Sequence, residues 1–506
     1  MEEEKLFQEL LDKISVATRF DYASSLLDWD QQTQMPQGGA EGRALIFAAV
    51  KTQGFKLFTS DAIGDILRKL NKVEGSSLSP EKLLIVQRMS VIYERAKAIP
   101  PDLFEAFNVA KSKAFTIWAQ AKKRSDFGLF APTLEEIVEL TRKIAECYGY
   151  ESNPYDALLP DFEPGLTTDE LKKIIEPLRA QLVPFVRALT EQSDKPDESL
   201  LQGHFPQDLQ MKLSQEALYL LNYDFNRGRL DLTVHPFTTS VGPDDIRVTT
   251  RVSPWKIAHC LFPTMHEAGH ALYEQGKDPL LKWLYLDKGI SMGIHESQSR
   301  MWENMVGRSR AFWQHFYLRM MDIFPYYKNV PFEDFYRAIN AVKPSLIRVN
   351  ADEVTYNLHI MLRAEIEADL IAGGNILVKE LPQVWNAKME KYLGVSPKND
   401  AEGVLQDVHW SSGMFGYFPS YMLGNLYAAQ LFAKAKKDII PDVEEQIAKG
   451  DLKVLLHWLR MEIHPFGLVY EAPQLLRKVT GEGPNPQHWL DYIKEKFSPI
   501  YGLNGV

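Results

Sequence analysis

His266-Glu267-Ala268-Gly269-His270, set in the largely apolar run Trp255–Tyr273, is the stretch that decides how the rest of this chain is read. At roughly 100° per residue, helical positions four apart lie about 40° apart on one face, and Glu267 sits about 60° further round. Both imidazoles can therefore grip one ion. Glu267 misses the ion yet lies near enough to take a proton from water bound there, which is the arrangement metal-assisted hydrolysis needs. The chain has 12 histidines in 506 residues. Chance would supply the pattern roughly 0.02 times in such a chain, so the sequence predicts a metal site.

The flanks predict a helix around the motif. Ser253-Pro254 reads as an N-cap followed by Pro at the first helical position, and Gly276 as the stop. Pro263 removes the hydrogen bond to the His259 carbonyl, which predicts a kink before the two histidines. Gly269, lacking a side chain, predicts close approach of another element to the metal-bearing turn.

Two histidines do not complete a catalytic zinc site, which uses three protein ligands and one position for water. Glu274 is eight residues from His266, about 12 Å along the axis, and cannot share an ion whose bonds are near 2 Å. The metzincin spacing of a third histidine is absent too, because Tyr273 and Gly276 hold those places. His295-Glu296-Ser297-Gln298 opens a second helical segment, read through Arg300, Trp302 and Arg308, and supplies the best candidate. Neighbours on a helix point about 100° apart, so His295 and Glu296 are not both expected to ligate. Glu296 is preferred, since two imidazoles and one carboxylate form the set found in zinc hydrolases that activate water.

Five further motifs surround this one in order: His235-Pro236-Phe237, Asp245-Ile246-Arg247-Val248-Thr249, His295 to Gln298, Ile347-Arg348-Val349-Asn350-Ala351-Asp352, and Gly403-Val404-Leu405-Gln406-Asp407-Val408-His409-Trp410. With the zinc motif they make the whole chain resemble the Taq-type zinc metallocarboxypeptidases, the thermostable carboxypeptidase 1 family. The resemblance implies Glu296 as third zinc ligand, Glu267 as general base, one zinc per chain and a homodimer. It also implies a helical body with a deep groove, as in the neurolysin-like peptidases. Cobalt or manganese can occupy such a ligand set.

Other roles follow from chemistry and motif together. A developing oxyanion needs a donor besides the metal, and His409, with Tyr421 after it, is the candidate. Removing a C-terminal residue needs a cation for the free carboxylate, a task suited to the planar fork of arginine. Arg348 is the first choice and Arg247 the second, with His235 of the first motif as a further substrate contact. Asp245, Asp352 and Asp407 read as partners orienting histidines or arginines. His464-Pro465-Phe466 repeats the first motif's letters and reads as coincidence or packing.

Composition narrows the class. Net charge of -10 offers no basic footprint for nucleic acid. The start, Met1-Glu2-Glu3-Glu4-Lys5, lacks a basic segment followed by an apolar core, and no apolar run is long enough to span a bilayer, so a cytoplasmic protein with no membrane partner is expected. Two cysteines, Cys147 and Cys260, argue for a reducing compartment, with Cys260 a buried thiol rather than a ligand.

Residues 1–200 read as amphipathic helices broken at Met35–Gly39 and Ile99–Asp102. Asp231–His235 and Ile246–Thr250 alternate about Gly242-Pro243-Asp244 and read as a β-hairpin or part of a small sheet, whose edge could take an extended peptide. The expected fold is one mainly α domain over residues 1–506, cleft down the middle, with residues 1–200 as one wall, a small sheet beside the zinc helix and the catalytic motifs in 235–421. A carboxypeptidase acting on peptides is the first functional expectation. An internally cutting oligopeptidase is the second, and a helical peptide-binding scaffold with structural zinc the third.

Overall fold

The computed structural model describes residues 2–503, apart from 73–75, 282, 285, 287–290 and 375. The chain divides into two compact units: Met1–Lys97 with Glu198–Ile339 and Leu431–Gly481, and Ala98–Asp197 with Asn340–Gln430 and Glu482–Val506. Helices make up most of both, as expected.

In the first unit, helices Glu2–Thr33 and Ala40–Phe58 pair across the turn at Met35–Gly39. Phe7, Leu10, Ile14 and Ala17 recur at three- and four-residue intervals and form a buried stripe. That stripe joins Phe58, Ile63, Ile66, Leu67 and Leu70 in one apolar cluster.

The same unit carries three strands: β1 (Leu230–Leu232), β2 (Thr238–Gly242) and β3 (Asp245–Thr250), in the order β1-β3-β2. β3 is central, with Ile246, Val248 and Thr250 buried. The small sheet is as expected, but its pairing is not a hairpin of 231–235 with 246–250. The turn at Pro243-Asp244 brings only the residues just before it into hairpin reach, so β2 pairs antiparallel with β3, Thr238 opposite Val248. β1 takes the other edge of β3 and runs parallel to it, Leu230 opposite Val248.

The motif helix spans Ala258–Gln275 and continues through Pro263. It does not begin at Ser253-Pro254. There the backbone is engaged sideways: the Pro254 and Trp255 carbonyls accept from Phe205 N at 2.8 Å and Gly203 N at 3.1 Å, so the chain enters the helix four residues late. The Cys260 carbonyl accepts from Thr264 Oγ1 at 2.8 Å, and Cys260 itself is fully buried beside Ser214. Gly276 does end the helix, and a Cβ there would stand 2.3 Å from His464 Nδ1. His464 is thus packing, with its Nε2 3.0 Å from Gln298 Oε1.

The second unit is organised on helix Tyr356–Ala372, which is buried on nearly every side. Helices Phe127–Tyr148, Thr168–Thr190 and Leu381–Leu393 pack against it. The loop bearing Gln406 to Trp410 has little regular structure and is pinned instead: Trp118 Nε1 donates to Leu405 O at 3.0 Å and Lys122 Nζ to Gln406 O at 2.8 Å. Among the described residues no helix is long and apolar enough to cross a membrane.

Candidate active site

Helix Met292–Arg300, N-capped by Ser291, crosses the motif helix at Gly269. A Cβ on Gly269 would lie 2.5 Å from both Gln298 O and Ser299 Cα, which is the close approach its lack of a side chain predicted. The crossing carries Glu296 to the two histidines. One ligand atom each from His266, His270 and Glu296 fall within 4.8 Å of one another, the only such group among the described residues. Glu296 Oε2 is 3.6 Å from His266 Nε2 and 3.4 Å from His270 Nε2. Both distances exceed a normal N–H···O hydrogen bond. They match instead the spacing of about 3.3 Å between ligand atoms around a tetrahedral ion with bonds near 2.05 Å, so the donor set fits a divalent metal.

Each ligand is held from behind. His266 Nδ1 lies 2.9 Å from Glu303 Oε2, and Arg300 donates to both Glu296 Oε1 (2.7 Å) and Glu303 Oε2 (3.2 Å). Burial alone would raise the Glu296 carboxyl, but Arg300 and His266 hold it well below the usual range. The same balance, led again by Arg300, brings Glu303 down to about 2. For His266 burial disfavours the charge, yet Glu296 and Glu303 raise it above the ordinary imidazole value. A cation there would take the place of that proton. Glu267 is not part of the donor group, and Thr238 Oγ1 stands 2.8 Å from both its Oε2 and its carbonyl. His295 turns away from the ligand point, as neighbours on a helix must, and packs its ring against His270.

The second unit builds a different cluster. Asp407 Oδ1 accepts from Arg348 Nε at 3.0 Å and pairs with its Nη2 at 2.9 Å, while Oδ2 takes Arg363 through Nε at 2.7 Å and Nη2 at 2.6 Å. Arg348 Nη1 also donates to Tyr356 OH at 2.9 Å. One carboxylate thus serves two guanidinium groups. Burial brings Arg363 down to about 10, still charged near neutrality, although Asp407 opposes the shift. His409 Nε2 is 3.4 Å from Tyr421 OH, and burial pushes His409 down to about 4, against the pull of Asp407. His409 is therefore neutral, and two guanidinium groups on one carboxylate leave one surplus positive charge.

The remaining expectations divide. Arg247 forks onto Asp245 at 3.0 and 2.7 Å and stacks 4.2 Å over Trp29. Asp245 and Asp407 do orient arginines; Asp352 does not. Its carboxylate accepts from the backbone of Lys343, Val354 and Thr355, capping the helix that follows. His235 is exposed in the bend between β1 and β2. The segment after Glu296 is not one helix through Arg308: Met301–Val306 is a π-helix, and a new helix starts at Arg310.

Four residues escaped sequence reading. Glu303 stands seven places after Glu296, two turns along the same face, a signal that was available. Arg363 and Glu367, opposite charges four apart on one face of a helix whose buried residues are mostly apolar, were a second. Glu367 is fully buried and accepts from Trp410 Nε1 (2.8 Å), Tyr155 OH (2.8 Å) and Gly416 N (3.0 Å); burial pushes it up to about 7. Thr238 gave no signal, because a threonine on a strand has many uses.

Comparison with known proteins agrees with this geometry. Carboxypeptidase 1 of Bacillus subtilis is 41% identical, aligned over 99% of each chain. Thermostable carboxypeptidase 1 of Thermus thermophilus is 40% identical over 99% of this chain and 100% of its own. The crystal structure of the M32 carboxypeptidase from Deinococcus radiodurans superposes with a TM-score of 0.95 at 36% identity, covering 98% of this chain and 100% of that one. Residues 9–497 match the family described as carboxypeptidase Taq (M32) metallopeptidase, and the chain belongs to that family.

Proposed function

We propose that this metallocarboxypeptidase is a zinc enzyme that releases single residues from peptide C-termini, with His266, His270 and Glu296 as the metal ligands. The observation that carries the reading is the convergence of those three donor atoms, with Glu267 next to His266 in the chain and outside the group. Zinc supplies the polarisation that lets water attack a peptide carbonyl near neutral pH. Glu267 takes the proton of the attacking water and hands it to the departing amine, with Thr238 fixing its Oε2. Neutral His409 and Tyr421 donate to the developing oxyanion.

Arg348 is assigned to the substrate carboxylate. The surplus charge it shares with Arg363 supports this, whereas Arg247 is matched one to one by Asp245. Arg247 and His235 are assigned supporting contacts with the peptide. Both units together are taken as one catalytic domain, and the chain as a cytoplasmic homodimer, which sedimentation at micromolar concentration would check. The decisive experiment is a peptide ladder on matched substrates with free and amidated C-termini, alongside elemental analysis. Stepwise loss from the free terminus only, with one zinc per chain, is expected. Undiminished cleavage of the amidated peptide would overturn the exopeptidase reading in favour of an internally cutting oligopeptidase.

A further inference from the structure

Two residues outside the donor group, Glu274 and His295, are joined to the metal ligand His270 in a single line. His270 presents Nε2 to the ligand point, 3.4 Å from Glu296 Oε2, and its Nδ1 lies 2.5 Å from His295 Nδ1. His295 Nε2 lies 2.8 Å from Glu274 Oε1. Glu274 Oε1 also accepts from Lys277 Nζ at 2.5 Å, and its Oε2 from Ser240 Oγ of β2 at 2.9 Å. We propose that His295 is a positioning residue that holds His270 as its Nδ1–H tautomer, through a chain of hydrogen bonds that runs one way and ends on Glu274.

The direction follows from counting donors. A metal ligand needs the Nε2 lone pair, so the proton of His270 sits on Nδ1. Two ring nitrogens in contact need one donor and one acceptor; His295 Nδ1 must therefore be the acceptor. A neutral imidazole then carries its own proton on Nε2, which is where Glu274, a carboxylate that can only accept, is found. Lys277 and Ser240 add two more donors to that carboxylate and hold it as the fixed end of the line. No other assignment satisfies both rings and the carboxylate at once. His266 reaches a carboxylate, Glu303, directly; His270 reaches one through an intervening ring.

The edge strand takes part on both sides. Thr238 and Ser240, two apart on β2 and so on one face, meet Glu267 and Glu274, seven apart on the motif helix. One strand face thereby holds the proposed general base and the far end of the His270 line.

This inference rests on the metal reading above, and its test separates the two. Zinc affinity would be measured on metal-stripped full-length protein by competition with a chromophoric chelator, for the wild type, His295→Leu and His295→Asn. His295→Leu removes the acceptor and is expected to weaken zinc binding by about 10- to 100-fold, the usual effect of losing such a partner. Asn places Oδ1 near the position of Nδ1, so His295→Asn is expected to recover most of that loss. Equal affinity in wild type and His295→Leu would overturn the proposal, as would His295→Asn losing as much as His295→Leu. Failure of wild type to take up zinc would overturn the metal reading and this inference together. Should His295→Leu fail to fold, ¹⁵N-histidine spectra of the zinc-loaded wild type decide: His295 is expected with a bare Nδ1 and a protonated Nε2, and the reverse tautomer would sink the line.

Discussion

Around Glu296 the neighbouring imidazole nitrogens stand off at 3.4 and 3.6 Å, whereas around Asp407 the guanidinium nitrogens close to between 2.6 and 3.0 Å. Glu296 is buried and Asp407 largely so, and both are held far into the ionised range, by Arg300 and His266 in one case and by Arg348 and Arg363 in the other, against the opposing effect of burial. The first cluster brings its donor atoms to a common point at a spacing that suits a cation. The second sets two guanidinium groups on one carboxylate, and what it leaves over is charge. Buried charge alone therefore does not mark a metal site. What does is a set of acceptors too far apart to bond one another and too close together to be indifferent.

The largest effect expected is at Glu267, which lies beside the open cluster without joining it. Glu267→Gln keeps the size of the side chain and removes its basicity, so kcat should fall on the order of 10³- to 10⁴-fold, about 4–5 kcal/mol in the barrier. Zinc content by elemental analysis should stay near one per chain. A variant that lost its metal would show that Glu267 belongs to the ligand set after all, and the contrast between the clusters would have been drawn in the wrong place.

Next comes the closed cluster. Asp407→Asn leaves two guanidinium groups sharing a neutral amide in a buried site, which should cost about 3–5 kcal/mol of stability in a denaturant melt. Zinc affinity should change little, since Asp407 is not one of the three donors. Gly269→Ala tests the opposite corner at smaller cost. Its Cβ would meet the backbone of Gln298 and Ser299 at 2.5 Å, and overpacking of this kind costs about 1–3 kcal/mol. The helix bearing Glu296 has to shift, so zinc affinity should drop with stability. Unchanged zinc binding in Gly269→Ala would mean that the crossing is not what sets Glu296 in place.

The open cluster was the more legible of the two in the sequence, and the reason is its spacing. His266 and His270 belong to one helix, whose periodicity fixes their faces, and Gly269 announced the crossing before any partner was known. Glu296 could be narrowed to a four-residue segment but not proved by spacing, because its placement depends on how one helix lies on another. The closed cluster gathers Arg348, Arg363 and Asp407 from three segments with no shared period, so only the family resemblance brought Arg348 and His409 forward. Asp352 was misread for a related reason. Sequence shows that an aspartate follows Arg348 by four, but not that it turns to cap its own chain. The start of the motif helix failed because Ser253-Pro254 is a good helix opening locally, and the carbonyls of Pro254 and Trp255 are claimed by residues fifty positions earlier.

The last effect shows only as a pH dependence, and it most sharply separates a matched cluster from its surroundings. Glu367 lies one turn beyond Arg363 and takes three neutral donors, Trp410, Tyr155 and Gly416, where Asp407 takes two cations. Burial therefore wins at Glu367 and raises it to about 7, from an ordinary 4.5, while Asp407 is depressed. The signs of their pH dependence are opposite. Asp407 stabilises the fold above its unfolded value, and that contribution is lost only as pH falls through the acid range. Glu367 binds its proton more tightly folded than unfolded, so the fold is favoured below pH 4.5, and that advantage disappears as pH rises towards 7. The size is on the order of 3 kcal/mol, or roughly 3 °C in Tm for a chain of this length. Glu367→Gln has no proton to lose, so the Tm of the variant minus that of wild type should climb by that amount between pH 5 and 7.5. A flat difference would mean that three neutral hydrogen bonds hold a buried carboxylate ionised as effectively as two arginines do, and the distinction between charge matched by cations and charge matched by dipoles would fail inside this helix.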